Sequence, residues 1–88
     1  MVSKTVTIQN ETGVHARPAA VFVKMANRFP CEIFVEKDEQ RINGKSIMGL
    51  MMLALTRDSR ITVIAEGDKE ADAVEALCRL VENSFVEA

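Results

Sequence analysis

Tryptophan and tyrosine are missing from this chain of 88 residues, which has four phenylalanines and one histidine. Small domains that bind single-stranded RNA on a β-sheet stack bases on aromatic side chains and need a basic surface. This chain has little of either, since its net charge is −2 and its pI about 5.4. An RNA-binding domain is therefore a weak alternative, and we expect neither a nucleic acid nor a membrane as a partner.

Long apolar runs and metal-binding motifs are also lacking. The longest apolar segment, IMGLMMLAL at residues 47–55, is far shorter than the roughly 20 residues that span a bilayer. The polar, alternating start of the chain does not resemble a signal peptide. Cys31 and Cys78 form no CxxC pair, and one histidine cannot complete a Cys/His metal site. We therefore expect a cytoplasmic protein with buried, reduced cysteines, no metal and no cofactor; a disulfide is the less favoured alternative.

Patterns of apolar residues predict seven elements of secondary structure. Alternation predicts strands at residues 2–8, 31–37, 41–43 and 60–66, and residues 31–43 are expected to form a hairpin. A helical period begins near Pro18, Ser46 opens a short second helix, and Asp68 is expected to cap the third. The alternation does not place Phe34 on either face. The predicted buried stripes are Ala19, Phe22, Val23, Ala26 and Phe29 in the first helix and Val74, Leu77, Cys78, Val81 and Phe85 in the third.

These elements occur in the order β-α-β-β-α-β-α. A chain of this length can bury one core, so residues 1–88 are expected to form a single domain. The hairpin favours a mixed or antiparallel sheet with helices on one face, which is an α+β layer. The opposite face carries threonine and glutamate and can be in contact with water.

The segment NETGVHARPAA, residues 10–20, places the only histidine at the start of the first helix. The first turn of a helix has unpaired N–H groups and the positive end of the helix dipole, which together favour a bound phosphate. An imidazole can act as a nucleophile near neutral pH, and a guanidinium matches phosphate oxygens. His15 and Arg17 therefore indicate a nucleophile beside an anion site.

Other roles for these residues remain open on spacing alone. A histidine near a helix start is more often a cap or a surface residue, and an arginine such as Arg17 is by itself more often solvated than functional. A self-contained hydrolase that uses serine and histidine is a further alternative, but no orienting acid and no deep pocket is evident.

Ser46 precedes a short helix with apolar residues on every side. Serine is a good N-cap, and capping alone could explain Ser46. So short a helix cannot bury all its apolar residues, and we expect some of Ile47, Met48 and Met51 to stay exposed as a contact patch. A more buried helix is the alternative. A carrier with a prosthetic arm on Ser46 is another, but such carriers are helical bundles and the predicted strands argue against it.

The segments TGVHARPAAVFVKMANRF, NGKSIMGLMMLAL and ITVIAEGDKEADAVEAL together resemble the HPr family, the histidine-containing phosphocarriers of the bacterial phosphoenolpyruvate:sugar phosphotransferase system. The likeness covers essentially the whole chain in register, and the H-A-R-P-A run is highly specific. The resemblance implies an open-faced β-sandwich, in which a four-stranded, mainly antiparallel sheet carries three helices on one face. It also implies a monomeric relay protein that is not itself an enzyme.

The resemblance assigns roles to the residues around His15. His15 would accept a phosphoryl group from enzyme I and donate it to sugar-specific enzyme IIA domains. Arg17 would neutralise the phosphoryl group, and Ala16, Pro18 and the short hydroxyl of Thr12 would complete its site. Because His15 is present, the chain does not resemble the HPr-like paralogues that have lost this residue and sugar transfer. The residues expected to contact partners are Ala20, Lys24, Lys45, Ile47, Met48 and Met51.

The region around Ser46 resembles the Gram-positive form of the family. In that form HPr kinase/phosphorylase phosphorylates the matching serine, which weakens transfer from enzyme I and creates a surface for a catabolite-control repressor. Physically, phosphate at a helix start is favoured by the dipole, and its charge beside apolar residues would oppose docking. Gly44 and Met52 depart modestly from the family pattern. The sequence does not indicate which sugars are served.

Overall fold

The computed structural model describes residues 1–86. Its elements are β1 (Val2–Thr7), α1 (Ala16–Ala26), β2 (Glu32–Lys37), β3 (Gln40–Asn43), α2 (Ile47–Met52), β4 (Arg60–Glu66) and α3 (Glu70–Glu82). The predicted order β-α-β-β-α-β-α is confirmed. The four strands also exclude the helical-bundle carrier considered as an alternative.

The four strands form one sheet in the order β1-β4-β2-β3, and every neighbouring pair is antiparallel. Helix α3 packs against β1 and β4, while α1 packs against α2 and α3. The apolar stripes of the helices join the inner face of the sheet in one buried cluster. The strand residues buried on that inner face are Val6, Ile33, Val35, Ile61, Val63 and Ala65.

The outer face of the sheet is mainly polar, as predicted. The hydroxyls of Thr5 and Thr62, which pair across β1 and β4, lie 3.1 Å apart. Phe34, which the alternation could not place, pairs with Ile64 of β4 and is half-buried. The Arg41 guanidinium covers its ring at 5.6 Å from the centroid, a cation–π contact. Side chains of the neighbouring strands β3 and β4 thus cover Phe34 on the outer face of the sheet.

Helix α1 begins at Ala16, two residues before Pro18, so Pro18 lies in the first turn as predicted. Its buried residues are Ala19, Phe22, Val23 and Ala26; Phe29, the last residue of the predicted stripe, lies beyond the helix and is only half-buried. The predicted turn before the helix is also present, since the Gly13 N–H donates to the Asn10 carbonyl at 3.0 Å.

The prediction that Asp68 caps α3 is wrong. Asp68 is exposed, and the N-cap position belongs to Lys69, whose φ of +62° is in the left-handed region. The Glu70 carboxylate instead accepts the Gly67 N–H at 3.0 Å and lies 2.9 Å from the Met1 ammonium. The backbone turn at Lys69 decides which acid reaches a free N–H, and the local pattern did not indicate that turn.

Both cysteines are free and buried, which confirms the sequence-based expectation. Burial raises the pKa of the Cys78 thiol to about 11, because an apolar environment disfavours the thiolate. Within residues 1–86, no helix is both long and apolar enough to cross a membrane.

Candidate functional site

His15 lies at the N-cap of α1, where the loop from β1 enters the helix. Its backbone is extended, with φ −108° and ψ −162°, and its side chain is exposed. The imidazole makes no hydrogen bond to the free N–H groups of the helix. The structure therefore excludes the alternative in which the His15 side chain caps the helix. The ring is available to an external group.

The loop that carries His15 is held at both ends. Besides the turn bond from Gly13 to Asn10, the Asn10 side-chain amide donates to the Gly13 carbonyl. The Val14 N–H donates to the Leu55 carbonyl at 2.9 Å, and the Val14 side chain is buried. These contacts tie residues 10–14 to the segment that follows α2. The position of His15 is consequently fixed by a local turn and by one distant segment of the chain.

The start of α1 has the features that favour a bound anion beside the imidazole. The Ala19 N–H is the first to bond within the helix, to the His15 carbonyl at 3.1 Å. Pro18 has no N–H, so the groups that point out of the helix are the N–H groups of Ala16 and Arg17. The first turn contains no acidic residue. The helix dipole and the exposed Arg17 guanidinium therefore act together on an anion there.

A shallow pocket of about 440 Å³ gathers four of the sequence-predicted residues, Thr12, His15, Arg17 and Pro18. Asn10, Val21 and residues 84–86 line it as well, and the sequence analysis did not predict any of these five as pocket residues. Such an open pocket can bind a phosphoryl group without excluding a partner protein.

The chain beyond α3 reaches this pocket by turning back on itself. Phe85 has φ of +64°, and its N–H donates to the Leu80 carbonyl at 2.8 Å. Its ring packs 6.5 Å from that of Phe22 in α1. The apolar spacing correctly predicts that Phe85 is buried, but the return toward α1 depends on the left-handed backbone at residues 84 and 85. No local pattern in the sequence indicates this return of the chain.

Ser46 is the N-cap of α2, as predicted. Its Oγ accepts the Gly49 N–H at 3.0 Å, and the residue is half-buried. Lys45 beside it is also half-buried, since its ammonium donates to the Phe29 carbonyl at 2.8 Å. Lys45 therefore borders Ser46 and also links the start of α2 to the segment that follows α1. The capping interpretation of Ser46 is correct.

Helix α2 buries only Leu50 and exposes four apolar side chains. We call Ile47, Met48, Met51 and Met52 the α2 patch; their exposed fractions are 40%, 75%, 45% and 74%. The expected exposure of a contact patch is confirmed, and the more buried alternative is wrong. Ala20 and Lys24 on α1 are exposed too, and α1 packs against α2.

The Ser46 region and the His15 pocket are separate sites. None of residues 45–52 lines that pocket. Among residues 1–86, no three histidine, cysteine or acidic side chains come together as a metal site. The described chain thus presents a histidine with an anion site, a capped serine and an exposed apolar helix.

Comparisons with known proteins agree with this arrangement. A family model described as the PTS HPr component phosphorylation site matches residues 2–83. The HPr-like protein Crh of Halalkalibacterium halodurans is 55% identical over 82 residues, which cover 93% of this chain and 98% of that protein. Phosphocarrier protein HPr of Treponema pallidum is 46% identical over 87 residues, or 99% of both chains.

Solved structures give the same result. HPr from Thermoanaerobacter tengcongensis superposes with a TM-score of 0.93 at 46% identity, covering 100% of this chain and 99% of that one. A crystal structure of Crh from Bacillus subtilis, described as a swapped dimer, superposes with a TM-score of 0.78 at 45% identity. It covers 99% of this chain and 100% of that one. The likeness therefore extends over the whole fold.

Proposed function

We propose, since this chain belongs to the HPr family of the phosphotransferase system, that it carries a phosphoryl group on His15 from enzyme I to sugar-specific enzyme IIA domains. The observation that carries this proposal is the exposed imidazole at the start of α1. It leaves the helix N–H groups free and lies in one pocket with Arg17.

The transfer needs one bond to form as another breaks. A ring nitrogen of His15 attacks the phosphorus of the enzyme I phosphohistidine, and the donor imidazole leaves with the electron pair of its P–N bond. The N–H groups of Ala16 and Arg17 and the Arg17 guanidinium bind the phosphoryl oxygens. The second transfer repeats the step with His15 as the leaving group. An open pocket suits this role because both partners must reach the same phosphorus.

The α2 patch, with Ala20 and Lys24 of α1, is the surface proposed for these partners. Exposed apolar side chains gathered on one short helix are typical of a docking surface, and methionine adapts to more than one partner. Lys45 borders this surface. All these partners act in the cytoplasm, which is where we place the chain.

A second, regulatory function is favoured by the relatives themselves. Two of them are HPr-like proteins Crh, and one solved structure is described as a catabolite repression HPr. We therefore propose that HPr kinase/phosphorylase phosphorylates Ser46. A phosphate there keeps an oxygen for the Gly49 N–H, so α2 stays capped, while about two negative charges lie beside the α2 patch. Docking of enzyme I weakens, and a catabolite-control repressor gains a phosphate to bind.

We propose that the working form is a monomer, because one chain supplies His15, its anion site and the α2 patch. Solved relatives include dimers of HPr and Crh. Light scattering across a range of concentrations tests this point, and a dimer at micromolar concentration would contradict it.

The test of the carrier function is phosphorylation by phosphoenolpyruvate and enzyme I, followed by intact mass. We expect one acid-labile phosphoryl group on the parent and none on His15→Ala. Arg17→Ala should slow transfer by about tenfold, less than the loss of a donor from a buried oxyanion site. Arg41→Ala is the matched control, since Arg41 lies on the outer face of the sheet.

The outcomes separate the two functions. No transfer to the parent from a matched enzyme I would refute the carrier function. The kinase experiment would then decide whether regulation is the main role. It would be, if HPr kinase/phosphorylase adds an acid-stable phosphate to the parent and none to Ser46→Ala.

A further inference from the structure

Three of the five methionines in the chain lie on α2, a helix of six residues. From their exposure we propose that Met48, Met51 and Met52 are a reversible oxidation site, at which sulfoxide formation blocks partner docking. This proposal rests on the proposed function, because it concerns the surface that enzyme I would bind. It adds a regulation by peroxide that is independent of Ser46.

The modification is a two-electron oxidation of each thioether by a hydroperoxide. A sulfur lone pair attacks one oxygen of hydrogen peroxide, the S–O bond forms, and the O–O bond breaks. The second oxygen leaves as water after proton transfer. Sulfur is oxidised and the peroxide reduced, so no further reactant is needed. Methionine sulfoxide reductases reverse the change with a dithiol as the reductant: the sulfoxide oxygen leaves as water and the dithiol becomes a disulfide.

Burial directs this chemistry to α2. The exposed fractions of Met48 and Met52, 75% and 74%, leave their sulfur atoms open to a small oxidant. Met25 of α1 is only partly buried but packs against the core. The thiols of Cys31 and Cys78, the usual targets of peroxide, are buried. Met1 is as exposed as Met48 and is open to the same oxidant, but it lies outside the α2 patch, with its ammonium paired with Glu70 of α3.

Oxidation at these positions leaves the fold intact. Helix α2 is held by the buried Leu50 and by the Ser46 cap, and neither includes a methionine of the patch. A sulfoxide on an exposed side chain remains in water, so the free monomer loses little stability. A partner, by contrast, must desolvate that polar group when it docks. The modification therefore acts on association more than on folding.

The expected effect is on KM rather than on kcat. None of the α2 residues lines the His15 pocket, so the transfer step itself is untouched once the complex has formed. Loss of central apolar contacts in an interface commonly weakens binding tenfold or more. We expect peroxide treatment to raise the KM of enzyme I for this protein by about tenfold and to change kcat less than about twofold.

The experiment compares three proteins before and after treatment with hydrogen peroxide. They are the parent, Met25→Leu, and the triple variant Met48→Leu/Met51→Leu/Met52→Leu. Leucine keeps the apolar volume but cannot be oxidised. Peptide mass spectrometry locates the sulfoxides, urea unfolding reports stability, and phosphorylation by enzyme I gives KM and kcat. A last sample of oxidised parent is treated with both methionine sulfoxide reductases and dithiothreitol as their reductant.

We expect peroxide to raise KM in the parent and in Met25→Leu, and the reductases to restore it. The triple variant, which retains Met1, should show the same KM before and after peroxide. An oxidised parent that keeps its KM while sulfoxides are present on α2 would overturn the inference and leave the proposed function standing. Equal inhibition of the triple variant would overturn it as well. A parent that enzyme I does not phosphorylate before treatment would refute the proposed function, and the inference with it.

Discussion

At residue 13 the backbone has φ of +70°, and a Cβ there would lie 2.5 Å from the Leu55 carbonyl oxygen. Real Cβ atoms do not approach so closely, and side chains also rarely adopt this φ. That carbonyl accepts the Val14 N–H, so Gly13 lies at the point where the His15 loop meets the segment after α2. The glycine is thus needed for the position of His15 as well as for the turn.

We expect Gly13→Ala to lower the free energy of unfolding by about 2 kcal/mol, because it combines left-handed strain with a backbone clash. Urea unfolding measures this change. Gly49→Ala is the control, since Gly49 is helical and its nearest contact would be the Ser46 hydroxyl at 3.2 Å. A Gly13→Ala protein as stable as Gly49→Ala would contradict the argument.

At the scale of elements, α2 depends on its cap more than on its length. A helix of six residues with one buried side chain has little other stabilisation. Ser46 satisfies the Gly49 N–H, and the same residue is the proposed site of phosphorylation. The cap and the switch therefore share one hydroxyl oxygen.

Ser46→Ala should lower the free energy of unfolding by about 1 kcal/mol, the usual cost of a lost N-cap. Ser46→Asp should lower it much less, because an aspartate at the N-cap also accepts the Gly49 N–H and favours the helix dipole. Thermal unfolding of the two variants with the parent measures the difference. If the aspartate variant were as unstable as the alanine variant, the Oγ bond would not be the stabilising contact.

At the start of α3, the Glu70 carboxylate and the Met1 ammonium shift each other's pKa. The Gly67 N–H and then the Met1 ammonium lower the pKa of the Glu70 carboxyl, and the carboxylate raises the pKa of the amino group. Stability from the carboxylate is therefore present above its ordinary value of 4.5 and lost as pH falls through the lowered pKa. Stability from the amino group is present below 8.0 and lost as pH rises through the raised pKa.

Glu70→Gln removes the charge and keeps an oxygen for the Gly67 N–H. We expect it to lower the midpoint of thermal unfolding slightly between pH 5 and 7.5, with a smaller difference from the parent at more acid and more alkaline pH. Asp68→Asn, two residues before Glu70, should change the midpoint of thermal unfolding less. The reverse order of the two variants would restore Asp68 as the cap.

For the whole molecule, the core separates both thiols from solvent. Cys78 is 0% exposed and Cys31 3%, in one cluster shared by the sheet and the three helices. Burial is the first cause of the raised pKa of the Cys78 thiol, so little thiolate forms near neutral pH while the domain is folded. Its reactivity consequently reports on the unfolding of the domain.

In a Cys31→Ala variant, we expect Cys78 to react with an aromatic disulfide reagent at pH 8 at least 100-fold more slowly than in the same protein in urea. Rapid labelling of the native protein would instead show that α3 opens locally.

The raised pKa of the Cys78 thiol has a second consequence, at alkaline pH. The stability contributed by the neutral thiol is full below the ordinary pKa of 9.0 and is lost as pH rises toward about 11.

Much of this protein was determined by its sequence alone, because the deciding interactions are local or periodic. Alternation places Ile33, Val35 and Val63 in the core, since successive strand residues point to opposite faces. Helical spacing predicts the buried stripes of α1 and α3. Ser46 was correctly predicted as a cap because its partner is three residues away. The roles of His15, Arg17 and Ser46 in phosphoryl transfer and regulation stay predictions from the family resemblance.

Only the tertiary structure decided the features that join distant parts of the chain. It placed Phe34 beneath Arg41 on the outer face, replaced Asp68 by Glu70 at the start of α3, and brought residues 84–86 to the His15 pocket. The first needs a neighbouring strand, the second the left-handed backbone at Lys69, and the third a left-handed turn after α3. Periodicity carries no information about such partners, since it describes which face of an element is apolar and not which element lies against it.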